Sequence, residues 1–248
     1  MTIQAIIFDV DGTLADTEDA HRRAFNKAFA ESGLQWNWDV ELYGRLLKIT
    51  GGKERIHFYI SSTLPNFSKP TDYDGFIKNL HQLKTTHYTA LLRNGDIPLR
   101  PNIKRLITEM KKAGISLAIA TTTSPENVTT LLQQSLGENS EALFDVIGCG
   151  DIVPHKKPAP DIYRWVLQRL HLQPHECIAL EDSENGLQSG LAAGIKTFIT
   201  RNDYTRHQNF TGAAAVMDDL NDLEYFYKIA GLDHDTAGRP LSKTPISV

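Results

Sequence analysis

Five short apolar runs punctuate the chain: Ile3–Phe8, Ile115–Ala120, Phe144–Ile147, Cys177–Leu180 and Lys196–Ile199. They are continuous rather than alternating, which is the pattern of strands buried on both faces. Between them, apolar residues recur at three- and four-residue spacing. Ile103, Leu106, Ile107 and Met110 form one such stripe, stopped by Gly114. Val128, Leu131 and Leu132 follow Ser124-Pro125, an N-cap and first-turn pair, and their helix stops at Gly137. Ile162, Trp165, Val166 and Leu170 make a third stripe, and Leu187 with Leu191 a fourth, before Gly194. Strand and helix in alternation predict βαβ units, and hence an α/β fold built on a doubly wound parallel sheet.

Residues 17–94 break this rhythm. Ala20, Ala24, Phe25, Ala28 and Phe29 form a helical stripe ending at Gly33, and the segments that follow carry no strand pattern. The spacing predicts a helical cap domain over 17–94, inserted into a core made of 1–16 and 95–225, with hinges near Asp16 and Gly95-Asp96. A closed barrel of eight βα units also suits the length, but it needs eight strands, and only about five or six are visible. Beyond Leu223 the chain turns polar, and 226–248 reads as a C-terminal tail.

Composition narrows the class of protein. Of 248 residues, 41% are hydrophobic and 23% charged, with a formal net charge of −4. That is ordinary globular composition, and a mildly acidic chain is a poor coat for nucleic acid. No apolar run approaches the ~20 residues needed to cross a bilayer, and no secretory signal opens the chain. The expected compartment is the cytoplasm, or the plastid stroma if a presequence has been removed, and the expected state is a monomer. Cys149 and Cys177 have no partners at disulfide-framework or metal spacing and are expected to be packing residues. Charge is uneven: residues 17–94 hold 11 Lys and Arg against 8 Asp and Glu, whereas the rest holds 15 against 22. A basic insert in an acidic frame suggests two bodies with different tasks.

In an open parallel sheet, ligands bind beyond the carboxyl ends of the strands. The first run ends in Asp9-Val10-Asp11-Gly12-Thr13, the second in Thr121-Thr122-Thr123-Ser124, and the fourth in Glu181-Asp182-Ser183. Lys156-Lys157 lies just ahead of the helix start at Asp161. Carboxylates, hydroxyls and a lysine thus gather at one sheet edge. Such an oxygen-rich set favours Mg²⁺ over zinc, and it suits phosphoryl transfer, where positive charge must neutralise phosphate before a carboxylate can approach. Gly12 permits the sharp turn that brings Asp9 and Asp11 to the same side. Lys156 is expected to be a solvated neighbour of Lys157.

Asp9-Val10-Asp11-Gly12-Thr13-Leu14 resembles the first motif of the haloacid dehalogenase superfamily, Thr121 the second, Lys157 the third and Glu181-Asp182 the fourth. All four stand in order across residues 9–182. The resemblance implies a Rossmann-like core and a Mg²⁺-dependent reaction through an aspartyl-phosphate. By it, Asp9 is the nucleophile and a metal ligand. Asp11 is the acid and base, with its backbone carbonyl on the metal. Thr121 and the backbone at Thr122 bind phosphate, Lys157 balances charge, and Asp182 completes the metal site with Glu181 beside it. Dehalogenase members lack an acid at the place of Asp11, so phosphate rather than halide is implied.

The helical insert resembles the cap of the phosphoglucomutase-like branch. More narrowly, Asp16-Thr17-Glu18, the segment Lys48-Ile49-Thr50-Gly51-Gly52-Lys53-Glu54-Arg55 and Lys156-Lys157-Pro158-Ala159-Pro160-Asp161 resemble the CbbY-type sugar-bisphosphate phosphatases. That resemblance implies xylulose 1,5-bisphosphate, an inhibitor of Rubisco, as substrate. Glu18 would hydrogen-bond a sugar hydroxyl, Thr50, Gly51 and Gly52 would approach the ligand, and Lys53 and Arg55 would bind a second phosphate. A β-phosphoglucomutase, a phosphonoacetaldehyde hydrolase using a cap lysine such as Lys53, and a non-catalytic phosphosugar sensor stand as alternatives. Intact Asp9 and Asp11 weigh against the sensor, which needs no nucleophile.

Overall fold

The computed structural model describes residues 2–95 and 97–232. Its core is a six-stranded, wholly parallel sheet in the order β3-β2-β1-β4-β5-β6. The strands are β1 (Ala5–Phe8), β2 (Ser116–Ala120), β3 (Val146–Gly148), β4 (Cys177–Glu181), β5 (Lys196–Thr200) and β6 (Ala215–Met217). The five predicted strands are all present. The sixth, β6, adds an edge that the sequence pattern marks only weakly.

Alternation along the central strands gives the sheet two unlike faces. Ile6, Phe8, Leu117, Ile119, Ile178 and Leu180 point into one apolar layer. That layer is closed by α5 (Ile103–Lys112), α6 (Pro125–Leu136) and α9 (Leu223–Ala230). The other face carries Ala5, Ile7, Ala118, Ala120, Cys177 and Ala179, and its smaller side chains seat α7 (Asp161–Leu170) through Ile162, Tyr163, Val166 and Leu167, with α8 (Glu184–Ala192) beside it after β4. The approach is close: a Cβ on Gly148 would lie 3.1 Å from both Ile162 and Val166. Cys177 is buried in this layer, a packing residue as expected.

The tail boundary needs correction. Residues 226–230 belong to α9, which buries Leu223, Phe226, Tyr227 and Ala230 against the core, and Asp222 accepts from the Tyr225 N–H at 2.9 Å to cap it. The four apolar positions form a helical stripe, so the segment is amphipathic rather than polar. The remainder of the proposed tail, from residue 233, lies outside the described residues.

Between β1 and α5 the chain forms α1 (Glu18–Glu31), α2 (Val40–Leu46), α3 (Gly52–Thr63) and α4 (Tyr73–Arg93), with no strand among the described residues of this segment. These helices enclose a cluster of their own around Phe25, Phe29, Trp38, Tyr43, Tyr59 and Leu80. Trp38 is fully buried within it. By contrast, Ala20 and Ala24 of α1 and Tyr88 and Leu91 of α4 join the core's larger apolar layer, so those two helices root the cap.

The chain leaves and re-enters the core by paired linkers. Ala15 bridges Leu99, and the Arg100 N–H donates to the Leu14 carbonyl at 2.8 Å. Of the predicted hinge at Gly95-Asp96, Asp96 lies outside the described residues. Arg100 itself is buried, and its guanidinium donates to the carbonyls of Gly12, Thr200, Arg201 and Asp218.

Candidate active site

The register of the sheet places the chemistry. Phe8 pairs with Ile119 on one side and Leu180 on the other, so β1, β2 and β4 end side by side. Asp9, Thr121 and Asp182 follow those ends and line one cavity with Asp11 and Lys157. The turn after Asp9 depends on Gly12. Its φ is +77°, and a Cβ there would lie 2.3 Å from the Asp182 carboxylate. No larger residue fits without displacing Asp182.

Lys157 is the centre of the charge arrangement. Its Nζ donates to Asp9 Oδ1 at 2.6 Å, to Glu181 Oε1 at 2.6 Å and to the Ala120 carbonyl at 2.7 Å. Burial disfavours the ammonium, but Asp9 and Glu181 outweigh it, and the Lys157 pKa is raised. The Tyr163 hydroxyl donates to the same Glu181 oxygen at 2.6 Å. Glu181 is fully buried, and its other oxygen packs against Gly186, where a Cβ would lie 1.9 Å away. Glu181 therefore anchors the lysine from behind, while Asp9 presents its carboxyl to the cavity.

One lysine does not neutralise three carboxylates. Oxygens of Asp9, Glu181 and Asp182 lie within 4.8 Å of one another, and all three residues are buried. Burial pushes Asp9 up to about 8, with Glu181 and Asp11 adding to the rise against Lys157. Asp182 is raised for the same reasons, burial first, then Asp9 and Glu181. A buried, all-oxygen donor set short of positive charge fits a hard divalent cation.

Asp11 sits in a different environment. Its Oδ1 accepts from the Thr17 hydroxyl at 2.7 Å and lies 2.8 Å from His21 Nε2. The His21 Nδ1 is in turn 2.6 Å from Lys84 Nζ, and the ring stacks on Tyr88 with centroids 3.8 Å apart. Burial works to raise the Asp11 carboxyl, but the contacts with His21 and Thr17 prevail and hold it well below the usual carboxylate range. Burial pushes Lys84 down to about 7. Thus Asp9 and Asp11, two residues apart, are pushed in opposite directions, Asp9 up by burial and its carboxylate neighbours and Asp11 down by its contacts with His21 and Thr17. The carboxylate of Asp11 is turned to Thr17 and His21 and is not among the clustered metal-competent oxygens.

Thr121 lies at the start of the loop into α6. Its hydroxyl accepts from the Thr123 N–H at 3.3 Å, and Asn127 donates to the Thr123 hydroxyl at 3.2 Å, so the loop is braced from its own helix. Thr122 lines the cavity beside it. Ser124 precedes Pro125 at the helix start as predicted, yet its hydroxyl makes no capping bond.

The cap residues divide. Glu18, Thr50, Gly51, Gly52 and Arg55 line the cavity. Glu18 accepts from the Tyr43 hydroxyl at 3.0 Å, and Arg55 donates to that hydroxyl and to the carbonyls of Leu46 and Ile49 at 3.2 Å. Arg55 therefore braces the loop before α3 while facing the site. The Thr50 hydroxyl accepts from Asn185 of the core at 2.9 Å, which makes it a cap-to-core contact as well.

Lys53 is a correction. It is not in the cavity wall: its Nζ lies 2.5 Å from Asp151 of the core, in an exposed ion pair. Helical phase explains this, since Gly52 and Arg55 are three apart and share the cavity side, whereas Lys53 lies about 100° round from Gly52. Lys156 is also corrected. Rather than being solvated, it pairs with Glu54 at 2.8 Å and Asp151 at 2.9 Å, joining core to cap.

Among the residues at or behind the site that escaped the sequence reading are His21, Lys84, Tyr163 and Tyr43. His21 and Lys84 occupy buried positions in helical stripes, His21 beside Ala20 and Ala24, Lys84 between Leu80 and Tyr88. A titratable residue in an apolar stripe is the signal that marks them.

Comparison with known proteins bears on this arrangement. The family described as haloacid dehalogenase-like hydrolase matches residues 3–194. The plasmid protein CbbY of Cupriavidus necator is 49% identical over 220 residues, covering 89% of this chain and 87% of that protein. The CbbY of Cereibacter sphaeroides is 47% identical over 231 residues, covering 93% and 97%. Crystal structures of CbbY from Rhodobacter sphaeroides, one in complex with phosphate and one of a mutant with xylulose-(1,5)bisphosphate, each superpose with a TM-score of 0.84 at 46% identity, covering 90% of this chain and 96% of theirs. A β-phosphoglucomutase from Clostridium difficile shares the fold at a TM-score of 0.77 and 22% identity, covering 93% and 98%. With the family match spanning most of the chain and relatives near half identity over nearly their whole length, this chain belongs to the haloacid dehalogenase-like hydrolases.

Proposed function

We propose that the protein is a Mg²⁺-dependent phosphatase acting on a sugar bisphosphate, with xylulose 1,5-bisphosphate as its substrate. The observation that carries the chemistry is the contact of Lys157 with Asp9 and Glu181, which orients a buried carboxylate toward the cavity without consuming both of its oxygens. The substrate rests on the likeness to the CbbY proteins, one of which was crystallised with that compound.

Asp9, Asp182 and the Asp11 backbone carbonyl would hold the metal, with Glu181 behind them; the ion would supply charge neutralisation for the phosphate oxygens. Asp9 Oδ attacks phosphorus, and the bond from phosphorus to the sugar oxygen breaks. Asp11, held ionised by His21 and Thr17, takes up a proton as the negative charge of the phosphate enters beside it and gives that proton to the leaving oxygen, so the sugar departs as an alcohol and Asp9 becomes an acyl phosphate. Asp11, now ionised, takes a proton from the water that attacks this phosphorus. Inorganic phosphate leaves, Asp9 is restored and Asp11 is again protonated. Thr121 and the N–H groups at the start of α6 hold the phosphate oxygens. His21 and Thr17 keep the Asp11 carboxyl aimed from the cap side, so the acid depends on the cap.

The test is phosphate release, with Mg²⁺ and with EDTA, from xylulose 1,5-bisphosphate, ribulose 1,5-bisphosphate and β-glucose 1-phosphate. Mg²⁺-dependent release with strong preference for the xylulose compound is expected. Preference for another sugar overturns the substrate but keeps the chemistry. Isomerisation of the glucose phosphate without release points to the mutase instead.

A further inference from the structure

The mechanism leaves one polar ring of the cavity wall without a task. His81 lies on α4, one turn before Lys84, and its ring rests against the first residue of α3: a Cβ on Gly52 would lie 2.5 Å from Nε2. The ring faces the cavity and makes no hydrogen bond among the described residues. A ring nitrogen that opens onto a ligand cavity without a protein partner is available for the ligand. Its charged surroundings are Lys84 of its own helix, Lys53 and Glu54 of α3, and Lys156 and Asp151 of the loop between β3 and α7. Three lysines stand against two carboxylates, so this end of the cavity favours an anion.

We propose that His81 reads the second phosphate of the substrate, its imidazole donating to a phosphate oxygen beside the Gly51–Gly52 turn. This rests on the bisphosphate reading above. It also replaces Lys53, which is committed to Asp151, as the residue that tells a bisphosphate from a monophosphate.

The electrostatics give the contact a signature. Burial first, then Lys84, Lys53 and Lys156, push His81 down to about 3, so the ring is neutral at pH 7 while that end is empty. A phosphate dianion favours the imidazolium, and a charge-assisted hydrogen bond forms as the ring takes up a proton. Binding of a bisphosphate is then accompanied by proton uptake, and binding of a monophosphate through Asp9's end is not.

The test compares the Mg²⁺-loaded protein with His81→Gln and His81→Asn, which keep an amide donor but do not titrate. The KM values for xylulose 1,5-bisphosphate and xylulose 5-phosphate are measured at pH 7.5. Proton uptake on binding the bisphosphate is measured by calorimetry in two buffers, on Asp9→Asn protein with and without His81→Gln. The expected result is a rise of about tenfold in the bisphosphate KM, a much smaller change for the monophosphate, and uptake that disappears with His81. Parallel changes in both KM values, or uptake that persists in the double variant, overturn the proposal. Absent uptake in the Asp9→Asn protein also overturns it, and that arm does not depend on the His81 variants folding. If the unmodified protein hydrolyses monophosphates but no bisphosphate, the bisphosphate reading fails and this one with it. Normal bisphosphate turnover with an unshifted KM in the variants removes His81 alone.

Discussion

The Asp11 carboxylate lies 2.8 Å from His21 Nε2, and this contact joins the loop after β1 to the first helix of the cap. Asp11 is therefore positioned by a residue outside the sheet that carries it. Replacing His21 by Phe keeps the aromatic stack on Tyr88 but removes the hydrogen bond. General acid–base assistance is worth roughly 10²- to 10⁴-fold, so kcat is expected to fall by about 10- to 100-fold when only its aim is lost. Steady-state kinetics with little change in KM would fit this role. An unaltered kcat would show that Asp11 needs no help from the cap.

Asp9→Asn removes the proposed nucleophile and is expected to lower turnover by at least about a thousandfold, since no covalent route through Asp9 remains. Acid-quenched protein incubated with substrate labelled in the reacting phosphate should carry label in the parent and none in the variant. Label in the variant would place the covalent step elsewhere.

Lys157→Met leaves Asp9 and Glu181 facing one another without their shared cation. Breaking a buried ion pair by removing one partner costs about 3–5 kcal/mol, more than most single surface changes. Denaturant unfolding should show that loss alongside loss of activity. Lys53→Ala, by contrast, removes an exposed pair worth less than about 1 kcal/mol. It should alter the KM values for mono- and bisphosphates in parallel, by no more than about threefold. A selective bisphosphate defect would restore Lys53 to the site.

Metal binding must displace protons from Asp9, which is held up to about 8, and from Asp182, which is also raised. Protonated carboxyls compete with the cation below those values, and the competition fades as pH rises through them. The increase in melting temperature produced by Mg²⁺ is therefore expected to be larger at pH 8 than at pH 5.5. Other titrations, such as those of His21 and Lys84, cancel in this difference when they do not touch the metal. Equal increases at the two pH values would mean that Asp9 and Asp182 are not the ligands.

The parts of the fold legible in the sequence were those with strong periodicity or a strand-end signature. β1, β2 and β4 are continuous apolar runs, and the residues after them carry the chemistry, so the core site could be assembled before any coordinates. β6 is weakly marked: the apolar run 213–217 is mostly alanine, which is depleted in strands, only three residues enter the strand, and Val216 is exposed at 43%. α9 was misjudged because Glu224 and Lys228 obscured the stripe of Leu223, Phe226, Tyr227 and Ala230. Lys53 failed for a different reason. A glycine pair beside a lysine reads as a phosphate cradle, but which side of α3 faces the cavity depends on how the cap sits on the core. The same dependence hid the Asp11–His21–Lys84 chain, whose members are 10 and 63 residues apart.

Arg100 gives the two linkers of the cap one anchor. Its guanidinium is tied to the carbonyl of Gly12 in the catalytic turn and to carbonyls that follow β5 and β6, while its own N–H holds the outgoing linker at Leu14. The strand returning from the cap is thus fastened to the floor of the site at the point where the outgoing strand begins. These hydrogen bonds lie wholly within the core, so both linkers start from one fixed point beside Gly12, and the Asp11–His21 contact is made on the cap side of it.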